Sequence, residues 1–251
     1  MRVGLIVGTG MDDLAEGVQW VEARTPYGYT VTATIPFGGR EVVVVRRHGP
    51  GLNVPPHLIN HRANLWAMRD AGVKPVLATA AVGSLRRQIQ PSTLSVVRDL
   101  IDFSRRRDMT IYDRPGERLL HTDMSEPYCP LLSSVLEHAA MEAGVELGPG
   151  VVYVCVDGPR YETPAEVRMF AKWGGDVVGM TSGAEVILCG ELDMCYAALA
   201  MVTNYAAGFS KHRLQHREVV ASAKQLQPTV RRILERAVAL IPEAGNGRFM
   251  D

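Results

Sequence analysis

The sequence predicts a three-layer α/β/α fold, with helices on both faces of a central sheet. Strand-like apolar runs alternate with helical segments, and polar or glycine-containing segments fall where several strands should end. The 251 residues are 47% apolar, which suits one large core in this class. We therefore expect a single domain over residues 1–251, with a frayed tail at residues 242–251.

Hydrophobic periodicity and turn residues place the individual elements. Strands are predicted at Val3–Val7, Tyr29–Pro36, Glu41–Val45, Val76–Ala81, Leu94–Leu100, Gly150–Val156, Asp176–Met180 and Cys195–Thr203. Helices are predicted at Asn60–Ala71, Pro130–Ala143, Thr163–Trp173, Ala184–Glu191 and His216–Ile241. Pro228 interrupts the last segment, which is predicted as one kinked helix or two abutting helices.

Composition and charge exclude several classes of function. The 27 basic and 27 acidic residues give a net charge of zero, so no overall field favours nucleic acid as a partner. No apolar run approaches the roughly 20 residues that span a bilayer, and the N-terminus lacks a signal-peptide pattern. We expect a soluble, cytoplasmic protein with no membrane partner.

The cysteine pattern points away from metal and redox chemistry. The four residues are Cys129, Cys155, Cys189 and Cys195, and no two have the close CxxC spacing of such a site. Cys155 and Cys195 lie in apolar, strand-like segments, which is typical of small buried side chains. We expect a reduced chain without a metal site.

Two segments near predicted strand ends suit an anion. VGTGMDD (residues 7–13) follows the first strand, and its glycines allow main-chain N–H groups and the Thr9 hydroxyl to approach a ligand closely. Arg46-Arg47-His48-Gly49 follows the third strand, and a guanidinium beside an imidazole suits phosphate. An ordinary turn and a solvated basic pair remain the alternatives.

Two further regions could approach an organic ligand. ATAAVGSL (residues 78–85) is rich in small residues that admit a ligand to the main chain. In DGPRYETPAE (residues 157–166), Tyr161 could stack on a base whose edge meets Glu162. Glu162 could equally be a first-turn helix residue, and Met180 in VGMTSGAE (residues 178–185) could be plain core.

Taken in order, these segments resemble the trimeric branch of the nucleoside phosphorylase superfamily, which contains purine nucleoside and methylthioadenosine phosphorylases. The resemblance runs from Gly4 to about Ala237 and rests on GTGMDD, RRHG, NxRANLWAM, GSL, HTDMSEPYCP, DGPRYET, GMT and TNYAAG. It implies a mixed, partly barrel-like sheet, a homotrimer, and phosphorolysis of a purine nucleoside. Inorganic phosphate would be a co-substrate, and no cofactor would be needed.

The resemblance also assigns residues to parts of a site. The implied phosphate site comprises Thr9, Arg47, His48, the main chain at Ala81, and Thr181. Branches of the family differ in spacing near the basic pair, so either Arg46 or Arg47 could be the phosphate ligand. Met180 would lie beneath the ribose, Tyr161 against the base, and His121 in the site of a neighbouring subunit.

Three positions favour 6-oxopurine nucleosides such as inosine and guanosine. Relatives that prefer 6-aminopurines carry two aspartates where this chain has Asn204 and Ala206. Glu162 can accept the N1–H that 6-oxopurines possess and adenine lacks. The implied catalytic residues are Asn204, Glu162 and His48.

His216 resembles the residue that such enzymes place on the ribose 5′-hydroxyl, although a helix-capping or solvent-exposed His216 is the alternative. The other candidate activity is phosphorolysis of S-methyl-5′-thioinosine or methylthioadenosine. Along the whole chain the motifs look closest to methylthioadenosine phosphorylases.

Overall fold

A computed structural model describes residues 1–11, 14, 16–49, 51, 53–105, 108–113, 120–209 and 213–243. Strands in these ranges are β1 (Arg2–Val7), β2 (Val21–Thr25), β3 (Gly28–Phe37), β4 (Arg40–Arg46), β5 (Val73–Ser84), β6 (Leu94–Asp102), β7 (Val151–Cys155), β8 (Val177–Gly179) and β9 (Cys195–Tyr205). The helices are α1 (His61–Asp70), α2 (Pro130–Glu142), α3 (Pro164–Lys172), α4 (Ser182–Glu191) and α5 (His216–Leu240). Most of the predicted tail lies outside the described residues.

The strands form one mixed sheet that closes on itself along part of its width. Their order is β2-β3-β4-β1-β5-β8-β7-β6-β9, and an additional pairing joins β5 to β9. The pairs β1–β4, β1–β5 and β5–β9 are parallel, whereas β5–β8 and β6–β9 are antiparallel. The ring β5-β8-β7-β6-β9 confirms the predicted partly barrel-like sheet.

Helices cover both faces of this sheet. Side chains of α2 and α5 form one apolar core with strands that include β1 and β9, and Leu132 and Ile233 are fully buried there. Side chains of α1 and α4 form a second core on the other face, where Leu65 and Leu188 are fully buried. The predicted three-layer arrangement is therefore confirmed.

Differences from the prediction are local. Strand β2 was not predicted, because its sequence VEART contains only two apolar residues and its side chains are mostly exposed at the sheet edge. Helix α5 is one continuous element with Pro228 inside it, which excludes two abutting helices. No helix of the described residues is long and apolar enough to cross a membrane.

One prediction about the cysteines is wrong. Cys129 and Cys195 form a disulfide, with their Cα atoms 5.4 Å apart. Cys129 caps α2 and its N–H donates to the Tyr196 carbonyl, so the fold brings it to the start of β9 despite a separation of 66 residues. Cys155 and Cys189 are free, as expected, and both are buried, which was predicted for Cys155. Burial raises the pKa of Cys155 to about 12.

Candidate active site

A cavity of about 450 Å³ lies where β1, β4, β7 and β8 end. Its size falls in the range of small-molecule sites. The predicted site residues that line it are Thr9, Arg47, His48, Ala81, Tyr161, Glu162, Met180, Thr181, Asn204 and His216. His121 is exposed and is not among the residues lining this cavity in the described chain, so its role in a neighbouring subunit stays a prediction.

Parallel pairing brings the first two anion-binding segments together. Strands β1 and β4 are in register with Val7 opposite Arg46, and the Arg47 N–H donates to the Val7 carbonyl at 2.9 Å. The residues that follow the two strands therefore start from adjacent points on one edge. A Cβ at Gly8 would collide with Nη1 of Arg47, so a glycine is needed for this approach.

Arg47 and Arg46 have different environments. Arg47 lines the cavity, although only 3% of its surface is exposed. Its Nε and Nη2 donate to Glu185 at 2.5 and 2.9 Å, and its Nη1 donates to the Thr79 carbonyl at 2.8 Å. The guanidinium of Arg46 instead lies over the ring of Trp20, 4.8 Å from its centroid. Of the two arginines, Arg47 is thus the one that lines the cavity in the described chain.

His48 is oriented by the loop that follows it. Its Nδ1 lies 2.9 Å from the Val54 carbonyl oxygen. Because a carbonyl can only accept, Nδ1 carries a proton, and Nε2 is the nitrogen turned toward Gly8. Nε2 can donate to phosphate when the ring is charged, or accept from a protonated phosphate oxygen when it is neutral.

Thr181 brings a helix N-terminus to the cavity wall. It is the N-cap of α4, and within the described chain its side chain makes no capping hydrogen bond. Its hydroxyl is therefore not committed to the helix. The first N–H groups of α4 and the helix dipole favour an anion at this position.

Met180 is not a core residue, and Glu162 is not a first-turn helix residue, the two alternatives that the sequence had left open. Met180 is partly exposed and lines the cavity, so it is not plain core. Glu162 precedes α3, whose N-cap is Thr163 and whose capping-box acid is Glu166, so Glu162 is not a first-turn residue. Its side chain is 7% exposed, and burial raises the pKa of its carboxyl group.

Tyr161 connects two predicted parts of the site. Its hydroxyl lies 3.2 Å from Nδ1 of His216, the first residue of α5, and both residues line the cavity. Burial and the neighbouring Glu162 raise the pKa of the Tyr161 hydroxyl, which keeps it a proton donor at neutral pH. If it donates to Nδ1, a neutral His216 carries its proton on Nε2. His216 is exposed, as the alternative interpretation expected, but it also contributes to the cavity wall.

Asn204 is fixed by its neighbours near the end of β9. The Thr203 hydroxyl donates to Oδ1 of Asn204 at 2.8 Å, and Nδ2 of Asn204 donates to the Tyr205 carbonyl at 2.9 Å. Each end of the amide keeps further hydrogen-bonding capacity. Ala206 is buried beyond the strand. The cavity thus has anion donors at one end and an aromatic ring, a carboxyl group and an amide elsewhere.

Sequence reasoning missed part of the site. Glu185 and Thr79, which hold Arg47, were not singled out, although Glu185 lies in the quoted VGMTSGAE segment. The walls also include Pro55 and Pro56 after His48, and Val219 and Val220 after His216. These four residues follow predicted site residues closely in the sequence, and that proximity could have indicated that they contribute to the cavity wall.

The sequence is similar to known proteins along nearly its whole length. A model of the phosphorylase superfamily matches residues 2–239. The 6-oxopurine nucleoside phosphorylase of Pyrococcus furiosus is 42% identical over 248 residues, covering 96% of this chain and 94% of that protein. A probable S-methyl-5′-thioinosine phosphorylase of Methanopyrus kandleri is 43% identical over 243 residues, covering 96% and 93%.

A solved structure shares the fold as well. Methylthioadenosine phosphorylase from Schistosoma mansoni, in complex with adenine, superposes with a TM-score of 0.90 at 31% identity, covering 96% of this chain and 92% of that chain. The resemblance drawn from the motifs is confirmed. Because the family model and these relatives span nearly the whole sequence, this chain belongs to the phosphorylase superfamily.

Proposed function

We propose that this chain is a purine nucleoside phosphorylase that acts on 6-oxopurine nucleosides. It converts inosine or guanosine and phosphate reversibly into the free base and ribose 1-phosphate. The observation that carries the proposal is a single cavity that joins the Arg47, His48 and Thr181 group to Glu162 and Asn204. Relatives named 6-oxopurine nucleoside phosphorylase, at 42% identity, support it.

Phosphate binds at the end of the cavity nearest Gly8. Thr9 and Thr181 supply hydroxyl groups, Ala81 supplies main chain, and Arg47 and His48 supply nitrogen donors. Arg47 and His48 are held by hydrogen bonds within the protein before the ligand arrives, so these two side chains need little reorganisation on binding. Phosphate is a substrate here, and the proposed chemistry uses no metal or cofactor.

The purine binds between Tyr161 and the polar pair. Ionised Glu162 accepts the N1–H of a 6-oxopurine, and the Asn204 amide bonds N7 or O6. Adenine has no proton on N1, so the buried carboxylate would face a lone pair. An unpaired buried acceptor costs about 1–3 kcal/mol, which corresponds to roughly a five- to hundred-fold preference.

Catalysis follows from the charges that develop as the glycosidic bond breaks. The C1′–N9 bond cleaves with positive charge on the sugar and negative charge on the purine. The bound phosphate stabilises the sugar cation and then forms the new bond to C1′. Asn204 and Glu162 stabilise the departing base, which takes both electrons of the broken bond. Hydrogen phosphate loses one proton when it becomes ribose 1-phosphate, and that proton balances the one with which the base leaves as the neutral purine. Met180 lines the cavity where the ribose would lie.

Phosphorolysis of S-methyl-5′-thioinosine is the second candidate. It has the same base, and relatives of 43% and 46% identity are named probable phosphorylases of that nucleoside. His216 favours an ordinary nucleoside, because an imidazole is a good partner for a 5′-hydroxyl and a poor wall for a methylthio group. Val219 and Val220 would suit the methylthio group better.

A substrate panel tests both candidates. Inosine, guanosine, adenosine, methylthioinosine and methylthioadenosine are each assayed with and without phosphate. We expect phosphate-dependent turnover with kcat/KM highest for inosine or guanosine. A higher kcat/KM for methylthioinosine would establish the second candidate instead, and turnover independent of phosphate would contradict phosphorolysis.

The assembly and location of the enzyme are part of the same proposal. We propose a homotrimer in which His121, exposed in the single chain, completes the site of a neighbouring subunit. A cytoplasmic location fits an enzyme that uses nucleosides and inorganic phosphate. The disulfide between Cys129 and Cys195 is uncommon in that compartment, except in hyperthermophiles.

A further inference from the structure

We propose that Glu185 is a positioning residue for phosphate binding, acting through Arg47. It fixes the guanidinium so that the N–H groups not used inside the protein face the phosphate end of the cavity. This inference rests on the proposed phosphorolysis and adds a residue to it. Glu185 itself does not line the cavity in the described chain.

The contact between the two side chains determines the orientation of the guanidinium. Both carboxylate oxygens of Glu185 accept from Arg47, through Nε and Nη2, while Nη1 is held by the Thr79 carbonyl. These three bonds lie on two edges of a planar group and prevent its rotation. A guanidinium has more N–H groups than these bonds use, and Nη1 and Nη2 each retain one. Nη1 lies against Gly8, beside the cavity wall.

Glu185 is in turn held by other elements. It lies in the first turn of α4 and is 1% exposed. The Tyr196 hydroxyl donates to its Oε2 at 2.7 Å, and Nδ1 of His61 is 3.7 Å from its Oε1. Burial disfavours ionisation of this carboxyl group, but the charge and hydrogen bonds of Arg47 outweigh burial and lower its pKa. The carboxylate is therefore a fixed, charged anchor.

The pairing with Glu185 changes how Arg47 can attract phosphate. A paired Arg47 and Glu185 have no net charge, so the attraction of the pair for phosphate depends on the direction of the remaining N–H groups. Loss of Glu185 would leave a charged guanidinium without its two fixed bonds. Phosphate affinity should then fall, although the positive charge remains.

Four variants separate positioning from simple stabilisation of the fold. Glu185→Gln keeps the size of the side chain but replaces one acceptor with a donor, and Glu185→Asp keeps the charge with a shorter reach. Tyr196→Phe removes one bond to Glu185 and leaves Arg47 intact. Tyr128→Phe is the matched control, because its hydroxyl bonds Ser182 in the same buried cluster without touching Glu185.

Steady-state kinetics and phosphate-dependent thermal shifts are the measurements. For Glu185→Gln we expect the phosphate KM to rise about tenfold or more, on the scale of a hydrogen bond to a charged group. For Tyr196→Phe, which removes a contact with Glu185 and none with Arg47, we expect a smaller rise, of about threefold. The KM for inosine at saturating phosphate should stay within about twofold of the original value. Glu185→Asp should recover part of the phosphate affinity, and Tyr128→Phe should leave the phosphate KM unchanged. The rise in Tm that phosphate produces should shrink in the same order.

Two results would overturn the proposal. One is an unchanged phosphate KM in Glu185→Gln, and the other is an equal rise of both KM values. If Glu185→Gln does not fold, Glu185→Asp and Tyr196→Phe decide the matter by the same comparison with Tyr128→Phe. Wild-type turnover in the substrate panel tests the proposed function separately, so failure of one idea is distinguishable from failure of the other.

Discussion

Asn204 is the residue to which the proposed function assigns the choice of base. Its two ends are bonded to Thr203 and Tyr205, so the side chain presents a fixed pair of polar atoms to the cavity. Neither end titrates, in contrast to an aspartate, which can donate to N7 only in its protonated form. The amide is therefore suited to bases that offer both a donor and a carbonyl oxygen.

Replacing Asn204 with aspartate tests this assignment. In Asn204→Asp we expect the kcat/KM ratio of adenosine to inosine to rise about tenfold, because a protonated aspartate can donate to the N7 of adenine. Asn53→Asp is a control for added charge, since Asn53 also lines the cavity and should leave the ratio unchanged. The same ratio in Asn204→Asp and wild type would remove Asn204 from the base site.

We propose that His216 distinguishes the two candidate substrates. In His216→Val we expect kcat/KM for inosine to fall about tenfold, because the 5′-hydroxyl loses its partner, while methylthioinosine is used at least as well. Tyr161→Phe, which removes the hydroxyl near Nδ1 but keeps the ring, should lower inosine turnover by a smaller factor. Undiminished inosine turnover in His216→Val would mean that the histidine does not contact the 5′-hydroxyl.

The residues of the cavity were predictable to different degrees. Thr9, His48 and Thr181 were identified because each belongs to a short motif near a strand end. The partner of Arg47 was not, because Arg47 and Glu185 are 138 positions apart and only the fold brings them together. The sequence suggested a guanidinium fork open to phosphate, whereas the structure shows two of its nitrogens bonded to a buried carboxylate.

At the scale of elements, the helices and long strands were predictable because their apolar patterns are regular. β5 and β9 extend beyond their predicted ends at Ala81 and Thr203. Their pairing continues there through glycine and polar residues, which do not show the apolar pattern of a strand. The edge strand β2 has no such pattern and is defined by its ladder with β3. Interstrand hydrogen bonds connect segments distant in sequence, so local periodicity does not reveal them.

The disulfide acts at the scale of the whole molecule, since it connects the start of α2 to the start of β9. Replacing Cys129 and Cys195 together with serine should lower the free energy of unfolding by about 2–4 kcal/mol, given the length of the closed loop. Denaturant titration measures this loss, and kcat/KM at 25 °C should be unchanged, because neither residue lines the cavity in the described chain.

Thiol titration of the denatured wild-type protein is the accompanying control. Without reductant two of the four cysteines should react, and after reduction all four should. Four reactive thiols before reduction would show that Cys129 and Cys195 are not bonded in the protein as isolated.

The closure of the sheet between β5 and β9 has a consequence for how this enzyme can diversify. Ala81, which the proposed function places at the phosphate, is opposite Met201, and Gly83 is opposite Asn204. One main-chain ladder therefore sets the separation between the proposed phosphate and base contacts. Side chains can change which base or 5′-group is accepted without altering that separation. In the proposed site, the ring of strands would hold phosphate and base at a constant separation, so that substitutions of side chains could change the substrate and leave that separation unaltered.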